Sequence, residues 1–286
     1  MILITDSGST KCDWIALDAS GNEIFRTRTK GLNPAILSLE ELQHRIVSND
    51  VLSTHKDAIT EIYFYGAGCG TDGPRRTLQE TLENLFLNAN SIQVLEDTYA
   101  AVYACIGRES GVVCILGTGS NCSFAENGQL EQRIVSLGYT LMDDASGNWF
   151  GKQLLRDYTF YKMPEHLRRD FANKYDLDAD VIKHNLYRES NPNAYLAHFA
   201  EYIFSHTEEK YIKKIMRKGF RLFSKTMIMQ YEDKLKEHQV HFAGSIAHFG
   251  APQLRQVAEE MDYEVGNIVR RPIEGLLEYH KNLILS

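Results

Sequence analysis

Residues 2–22 read ILITDSGSTKCDWIALDASGN, and residues 112–128 read VVCILGTGSNCSFAENG. Each stretch runs from an apolar strand through a turn of small and hydroxyl residues into a second strand, and then into another tight turn. A shift of 111 residues places Gly8 on Gly119 and Ser9 on Ser120. The repeated pattern predicts a duplicated domain, in which each copy begins with an antiparallel meander.

The remainder of each half adds helices and further strands to its meander. Apolar spacing of 3–4 residues indicates helices, and short β-branched runs between turn residues indicate strands. The predicted elements are helices over 39–52, 75–87 and 100–106 with strands over 61–65 and 91–95 in the first half, and in the second half a long helical segment over 151–237, a strand over 240–243 and helices over 252–261 and 273–285. This order is typical of an α/β protein.

The composition excludes several classes of protein. The chain has 286 residues and a net charge of −7, without the basic excess that nucleic-acid binding requires. No apolar run approaches the ~18 residues of a membrane span, and Met1 opens onto a strand-like segment rather than a secretory leader, so we expect a cytoplasmic protein. The five cysteines are scattered and include no C-x-x-C pair, which argues against both a disulfide framework and a zinc site.

The two repeated turns have the residue types that bind a nucleotide triphosphate. Glycine allows the backbone to approach phosphate oxygens, successive N–H groups point at them, and serine or threonine adds hydroxyl donors. Asp6 precedes the first turn, where a carboxylate can hold Mg²⁺ through water. The alternative is that both turns are ordinary tight hairpins beside an exposed aspartate.

These motifs make the sequence similar to the actin, heat-shock chaperone and sugar-kinase superfamily, and within it to the N-acetylglucosamine kinase branch of the BadF/BadG/BcrA/BcrD ATPase family. The first phosphate motif of that family is Asp-x-Gly-x-Thr, the second is Gly-Thr-Gly-Ser, and the adenosine motif is an apolar strand ending in small residues. The positions that the resemblance assigns to ATP are Asp6, Gly8, Ser9, Thr10, Lys11, Gly117, Thr118, Gly119, Ser120, Gly244 and Ser245, with Asp6 also at the Mg²⁺.

The resemblance implies a general base for the sugar hydroxyl. The matching residue is Asp97, which follows a predicted strand and opens a helix. A carboxylate at the carboxyl end of a strand lies in a crevice where it can accept a proton. An alternative role for Asp97 is to cap the helix that follows, and both roles are compatible.

The resemblance also implies a sugar-binding set made of Asn33, Thr118, Asp143 and Gly147. Asp143 belongs to the segment LMDDASGNW over residues 141–149, which is similar to the family's Gly-Asp-Glu-Gly-Ser-x-x-Trp. Asp144 replaces the glutamate, whereas Met142 and Ala145 replace glycines. These departures concern which sugar is bound more than which reaction is catalysed. For Asn33, a plain turn asparagine before proline is an alternative.

The implied fold has two ribonuclease-H-like lobes of the actin-like ATPase type, with ATP in the cleft between them. The lobes are expected over 1–106, with a returning C-terminal helix over 272–286, and over 107–271, with a helical insertion. The implied reaction is transfer of phosphate from Mg·ATP to the 6-hydroxyl of N-acetylglucosamine, with glucosamine as an alternative acceptor. Family likeness also implies a homodimer that binds a small sugar and neither nucleic acid nor membrane.

Three other functions are alternatives to a kinase. An ATPase that switches a partner enzyme, as in the BadF-type activators, holds an iron–sulfur cluster with a cysteine pattern that this chain does not have. A non-catalytic sugar sensor would show no turnover. The run Gly68-Cys69-Gly70-Thr71-Asp72-Gly73 matches the dinucleotide fingerprint G-x-G-x-x-G, but Pro74 follows it, and an NAD-binding fold leaves the repeated turns unexplained.

Overall fold

The computed structural model describes residues 1–8, 10–189 and 191–285. The chain divides into two compact units, unit 1 (Met1–Gly107 with Arg271–Ser286) and unit 2 (Arg108–Arg270). The strands are β1 (Ile2–Ser7), β2 (Lys11–Leu17), β3 (Glu23–Lys30), β4 (Glu61–Gly66), β5 (Ser91–Glu96), β6 (Gly111–Leu116), β7 (Ser120–Glu126), β8 (Gln129–Glu131), β9 (Val240–Ala243) and β10 (Val265–Val269).

The helices of unit 1 lie between and after its strands, and those of unit 2 lie mainly between β8 and β9. They are α1 (Leu39–Val47), α2 (Asp50–His55), α3 (Asp72–Leu85), α4 (Asp97–Ile106), α5 (Gly147–Thr159), α6 (Glu165–Lys174), α7 (Ala179–Tyr187), α8 (Pro192–Phe199), α9 (Glu201–Phe204), α10 (Lys210–Thr226), α11 (Glu232–Leu235), α12 (Ser245–Phe249), α13 (Ala251–Glu260) and α14 (Pro272–Leu285). No helix in the described ranges has the length and apolarity needed to cross a membrane.

The two sheets have the same topology. In unit 1 the strand order is β3-β2-β1-β4-β5, and in unit 2 it is β8-β7-β6-β9-β10 when read in the matching direction. The meander strands pair antiparallel, whereas β1/β4, β4/β5, β6/β9 and β9/β10 pair parallel. The predicted α/β class and the predicted duplication are therefore confirmed.

The sheet of unit 1 is covered by helices on both faces. Neighbouring residues of a strand point to opposite sides, so each packs against a different pair of helices. Leu3 packs in one cluster with Leu42 of α1 and Leu78 of α3. Ile4 packs in another with Ala100 of α4 and Leu276 of α14. A strand covered on both faces reads as a continuous apolar run, which explains the sequence at residues 2–4.

The helices of unit 2 share one core with its sheet. α10 buries its apolar face, including Met216 and Phe220, while its lysines and arginines are exposed or partly exposed, as expected for a solvated helix face. Gly219 faces Phe150 of α5, and a Cβ there would lie 2.7 Å from the ring. This close approach allows α10 to pack directly against α5. The first residues of α5 contact the turn between β6 and β7.

Candidate active site

The turn between β1 and β2 carries the first group of predicted phosphate-binding residues. The Gly8 N–H donates to the Lys11 carbonyl oxygen at 3.0 Å, and the side chains of Thr10 and Lys11 are exposed. Ser9 lies outside the described residues. Gly8 has ample space, since the nearest atom to an added Cβ would be the Lys11 oxygen at 3.9 Å. Packing of the described neighbours therefore does not require glycine here.

Asp6 and Asp13 form an unequal pair of carboxylates beside this turn. Asp13 is ion-paired with Lys11 at 3.9 Å, Arg28 at 2.7 Å and Arg271 at 3.1 Å. Burial raises the pKa of Asp6 to about 6, and the charge of Asp13 adds to this rise, which Lys11 and Arg271 offset only in part. Asp6 is thus a carboxylate with spare capacity for a cation.

Asp97 and Glu96 lie at the end of β5, where α4 begins. Burial raises the pKa of Asp97 to about 7, and the charges of Glu96 and Asp6 contribute to this rise, against the backbone N–H groups of Thr98 and Asp97. A general base is most effective when its pKa is near the working pH. α4 begins at Asp97 itself and its N-cap position is Glu96, whose side chain makes no capping hydrogen bond, so Asp97 is the first residue of the helix rather than its N-cap.

The glycine-rich turn after β4 packs against Asn33 and Glu96. Gly68 has a φ of +81°, and a Cβ there would clash with Asn33 Oδ1. A Cβ on Gly70 would lie 2.8 Å from Glu96 Oε1. Asn33 Oδ1 also accepts the Ala35 N–H at 3.0 Å. Gly68 and Gly70, the first two glycines of this G-x-G-x-x-G run, therefore make room for side chains of unit 1, which gives them a role unrelated to a dinucleotide.

The turn between β6 and β7 is the counterpart in unit 2. The Gly117 N–H donates to the Gly119 carbonyl at 3.0 Å, and the Gly147 N–H donates to the Gly117 carbonyl at 2.7 Å. A Cβ on Gly117 would meet nothing within 4 Å, and its φ is outside the left-handed region. Glycine at 117 is therefore required neither by backbone conformation nor by packing of the described residues.

Asp143 lies against this turn. Its Oδ1 accepts the Ser120 N–H at 3.2 Å, its Oδ2 accepts the Asn148 side-chain amide at 2.8 Å, and a Cβ on Gly119 would lie 2.9 Å from Oδ2. Asp143 has a φ of +67°, a conformation in which aspartate is tolerated better than most residues. Asn148 is a site residue that sequence reasoning misses, because its partners become neighbours only on folding.

Gly147 and Gly244 approach the same turn from α5 and from the end of β9. Gly147 is buried, and a Cβ there would lie 3.1 Å from Ala197 Cβ. Gly244 has a φ of +121°, and a Cβ there would clash with the Leu116 carbonyl. Ser245, which begins α12, is partly exposed. In unit 2 the structure thus brings the second turn that is predicted to bind phosphate together with Asp143, Gly147 and Gly244.

The segment before α5 carries two of the departures from the family motif, Asp144 and Ala145. Ala145, where the motif has glycine, is fully buried and has a φ of +57°. Asp144 accepts the Thr226 hydroxyl at 3.2 Å, and burial raises its pKa. Ser146 caps α5 by accepting the Trp149 N–H at 3.2 Å. Ala145 therefore adopts a left-handed conformation that glycine would adopt at less cost.

Asp6 is the residue of unit 1 that would hold Mg²⁺ together with the phosphates of a nucleotide. Among the described residues, there is no group of three or more His, Cys, Asp or Glu side chains arranged to hold a metal. Magnesium at phosphoryl-transfer sites is usually held by one or two carboxylates, water and the substrate's phosphates. Asp6, with its raised pKa and spare capacity, meets that requirement.

Comparison with known proteins identifies the fold. A proposed N-acetylglucosamine kinase from Porphyromonas gingivalis is 32% identical in sequence and superimposes with a TM-score of 0.91, the match covering 99% of each chain. A second such protein, from Chromobacterium violaceum, is 15% identical, with a TM-score of 0.73 over 100% of this chain and 98% of that one. A ROK family glucokinase from Streptomyces griseus, in complex with glucose and AMPPNP, is 12% identical, with a TM-score of 0.60 over 98% of each chain.

The last two likenesses, at low identity, show the fold alone. Neither the protein-family models nor the curated proteins gave a match. The 32% identity over essentially the whole length of both chains shows common family membership. The chain belongs to the same family as the Porphyromonas gingivalis protein, among the ATP-dependent sugar kinases with the two-lobed actin-like ATPase fold.

Proposed function

We propose that the protein transfers the γ-phosphoryl group of ATP to an amino sugar, N-acetylglucosamine, at its 6-hydroxyl. The observation that carries the proposal is Asp97, a carboxylate at the end of a parallel strand whose pKa is raised to about 7. The relative from Porphyromonas gingivalis, described as a proposed N-acetylglucosamine kinase, supports the choice of sugar. Membership in the BadF-type family and a homodimeric state stay predictions.

In this proposal the two glycine turns bind the nucleotide. Gly8 and Gly117 both have room for a Cβ, so the described surroundings do not explain why glycine is present. Close approach of a phosphate to the backbone N–H groups does explain it. Thr10, Lys11, Thr118 and Ser120 would add donors, and Gly244 with Ser245 would bind near the adenosine. Mg²⁺, held through Asp6, would neutralise phosphate charge.

The residues of this chain would perform three tasks on the sugar. Asn33, Thr118 and Asp143 would orient it through its hydroxyl and acetamido groups, and Gly147 would shape the wall behind it. Asp97 would accept the proton of the attacking hydroxyl as the bond from its oxygen to the γ-phosphorus forms and the bond from that phosphorus to the leaving ADP breaks. Phosphoryl transfer depends mainly on positioning and charge neutralisation, so these tasks account for most of the expected rate enhancement.

Glucosamine is the second candidate acceptor. Glu96 adds a partly buried carboxylate next to Asp97, and burial raises its pKa. The negative charge of such a carboxylate would raise the affinity for a cationic sugar such as glucosamine, relative to a neutral sugar, by attraction over a distance. This observation favours glucosamine, whereas the likeness to the Porphyromonas gingivalis protein favours the acetylated sugar.

A coupled assay of ADP release tests the proposal. The purified protein with Mg·ATP is compared without sugar and with N-acetylglucosamine, glucosamine, N-acetylmannosamine or glucose. We expect ADP release to depend on the sugar, with the highest kcat/KM for N-acetylglucosamine. ADP release that is the same with and without every sugar would instead identify an ATPase switch protein, and faster turnover of glucosamine would select the second candidate.

A further inference from the structure

Asn148 connects two parts of the candidate site in unit 2. It is the second residue of α5, and only 1% of it is exposed. Its backbone N–H donates to the Thr118 carbonyl at 3.0 Å, and its side-chain amide donates to the same oxygen at 2.8 Å. The side-chain amide also donates to Asp143 Oδ2 at 2.8 Å. One buried amide thus binds both the phosphate turn and the carboxylate.

Ser120 makes a second hydrogen bond between the turn and the Asp143 carboxylate. Its backbone N–H donates to Asp143 Oδ1 at 3.2 Å, so each oxygen of the Asp143 carboxylate has a donor. Thr118 and Ser120 flank Gly119, which lies directly under the carboxylate. The turn, Asp143 and Asn148 therefore form one ring of hydrogen bonds, and a change in the orientation of the carboxylate must be transmitted to the turn.

We infer that Asn148 is a positioning residue that couples occupation of Asp143 by the sugar to binding of the nucleotide at Gly117–Ser120. The inference rests on the proposed function, which places the sugar at Asp143 and the phosphates at the turn. A ligand that fixes the carboxylate also fixes Thr118 and Ser120 through the ring of hydrogen bonds. The second ligand then meets a turn that is already ordered, so each ligand tightens the binding of the other.

The energetic consequence is reciprocal. If the nucleotide raises the affinity for the sugar by some factor, the sugar raises the affinity for the nucleotide by the same factor. Coupling between sites is typically about 5- to 150-fold. A residue that only supports the fold would change each affinity or the stability, whereas a coupling residue changes the ratio between affinities measured with and without the other ligand.

Isothermal titration calorimetry measures this ratio. N-acetylglucosamine is titrated into the protein with and without Mg·AMPPNP, and AMPPNP is titrated with and without the sugar. We expect the wild type to show coupling of about 5-fold or more in both directions. Asn148→Ala should still bind each ligand alone, with a ratio well below that of the wild type, because only the bond from the Ser120 N–H still joins Asp143 to the turn. Asn185→Ala, which removes an amide of α7 bonded to the Val181 carbonyl, should retain the wild-type ratio.

Two outcomes overturn the inference, and they differ from failure of the proposed function. Asn148→Ala with the wild-type ratio shows that the coupling does not pass through Asn148, and a wild type with a ratio of 1 shows that there is no coupling to transmit. A wild type that binds neither ligand contradicts the proposed function itself. If Asn148→Ala does not fold, Asn148→Ser serves instead, because the serine hydroxyl is too short to bond both Thr118 and Asp143. This variant should likewise show a lower ratio between the affinities measured with and without the other ligand.

Discussion

Asp6 on β1 lies directly opposite Asp13 on β2, and the pKa values of the two carboxyls move in opposite directions. Burial acts to raise the pKa of Asp13, but hydrogen bonds from Arg28 and Arg271 outweigh burial and lower it. Burial and the charge of Asp13 raise the pKa of Asp6 to about 6. The structure thus neutralises one carboxylate of the pair and leaves the other available for a cation brought by a ligand.

This asymmetry predicts a gain in stability from Asp6→Asn. The folded-state pKa of Asp6 is above its ordinary value, so the folded chain holds the proton more tightly than the unfolded chain, and stability is lost as the pH rises from about 4 to about 6. Asparagine at position 6 does not ionise, so the variant does not lose stability in this pH range through this residue. Because each pKa unit corresponds to about 1.4 kcal/mol, we expect the free energy of unfolding of the variant to be higher by about 3 kcal/mol at pH 8 and unchanged near pH 3.5. Urea denaturation at both pH values measures the difference in free energy of unfolding between the variant and the wild type. An equal difference at both pH values would refute the role of ionisation.

Asp97→Asn should nearly abolish turnover without preventing nucleotide binding. Loss of a general base lowers kcat by about 10²- to 10⁴-fold. Because the pKa of Asp97 is raised to about 7, kcat/KM of the wild type should rise with pH up to about 7 and then level off. The residual activity of the variant should lack this rise. A variant with full turnover, or with the wild-type pH profile, would show that another group takes the proton.

Gly117→Ala separates ligand binding from folding. The added methyl group has open space around it, so the free energy of unfolding should stay within about 0.5 kcal/mol or increase slightly. Because the phosphates are expected to approach this turn closely, the methyl group should obstruct them and raise KM for ATP at least about 10-fold, equivalent to a loss of 1.4 kcal/mol. Gly73→Ala in α3 is the matched control, since it also has open space. Unchanged KM for ATP in Gly117→Ala would remove this turn from the nucleotide site.

Gly68→Ala should weaken binding of the sugar rather than binding of the nucleotide. The residue has a φ of +81°, and its new Cβ would clash with Asn33 Oδ1, so the Asn33 loop must shift. We expect a loss of about 1–3 kcal/mol in stability and a higher KM for the sugar, with KM for ATP little changed. Gly128→Ala, with a φ of +75° and open space, is the control for backbone strain alone. An equal rise in sugar KM in both variants would mean that Asn33 does not contribute.

Much of the fold was predictable, because the hairpins, the apolar strands and most helices are encoded by local pattern. The strand over 240–243 was predicted at its observed bounds. The helix predicted over 39–52 is two helices, because α1 ends at Val47 with Ser48 as its C-cap and Asn49 caps α2 by accepting the Leu52 N–H. The strand β10 was missed, because it is a short, partly exposed edge strand with glycine and asparagine inside it.

The candidate site was predictable only where it lies in contiguous motifs. Gly117–Ser120 and Asp97 are read directly from the sequence, and their roles stay predictions. Asn148 could not be found in this way, because its meaning depends on Thr118, which is 30 residues away in the chain. The purpose of Gly68 is likewise visible only in the structure, since Asn33 reaches it across the fold.

Transfer of labelled phosphate from [γ-³²P]ATP tests the central claim, sugar phosphorylation, most directly. The purified protein is incubated with Mg²⁺ and N-acetylglucosamine, and the label is separated into sugar phosphate and inorganic phosphate. We expect the label to appear in the sugar, one mole for each mole of ADP formed, and Asp97→Asn to slow this transfer greatly. Label released only as inorganic phosphate, at a rate independent of the sugar, would contradict sugar phosphorylation.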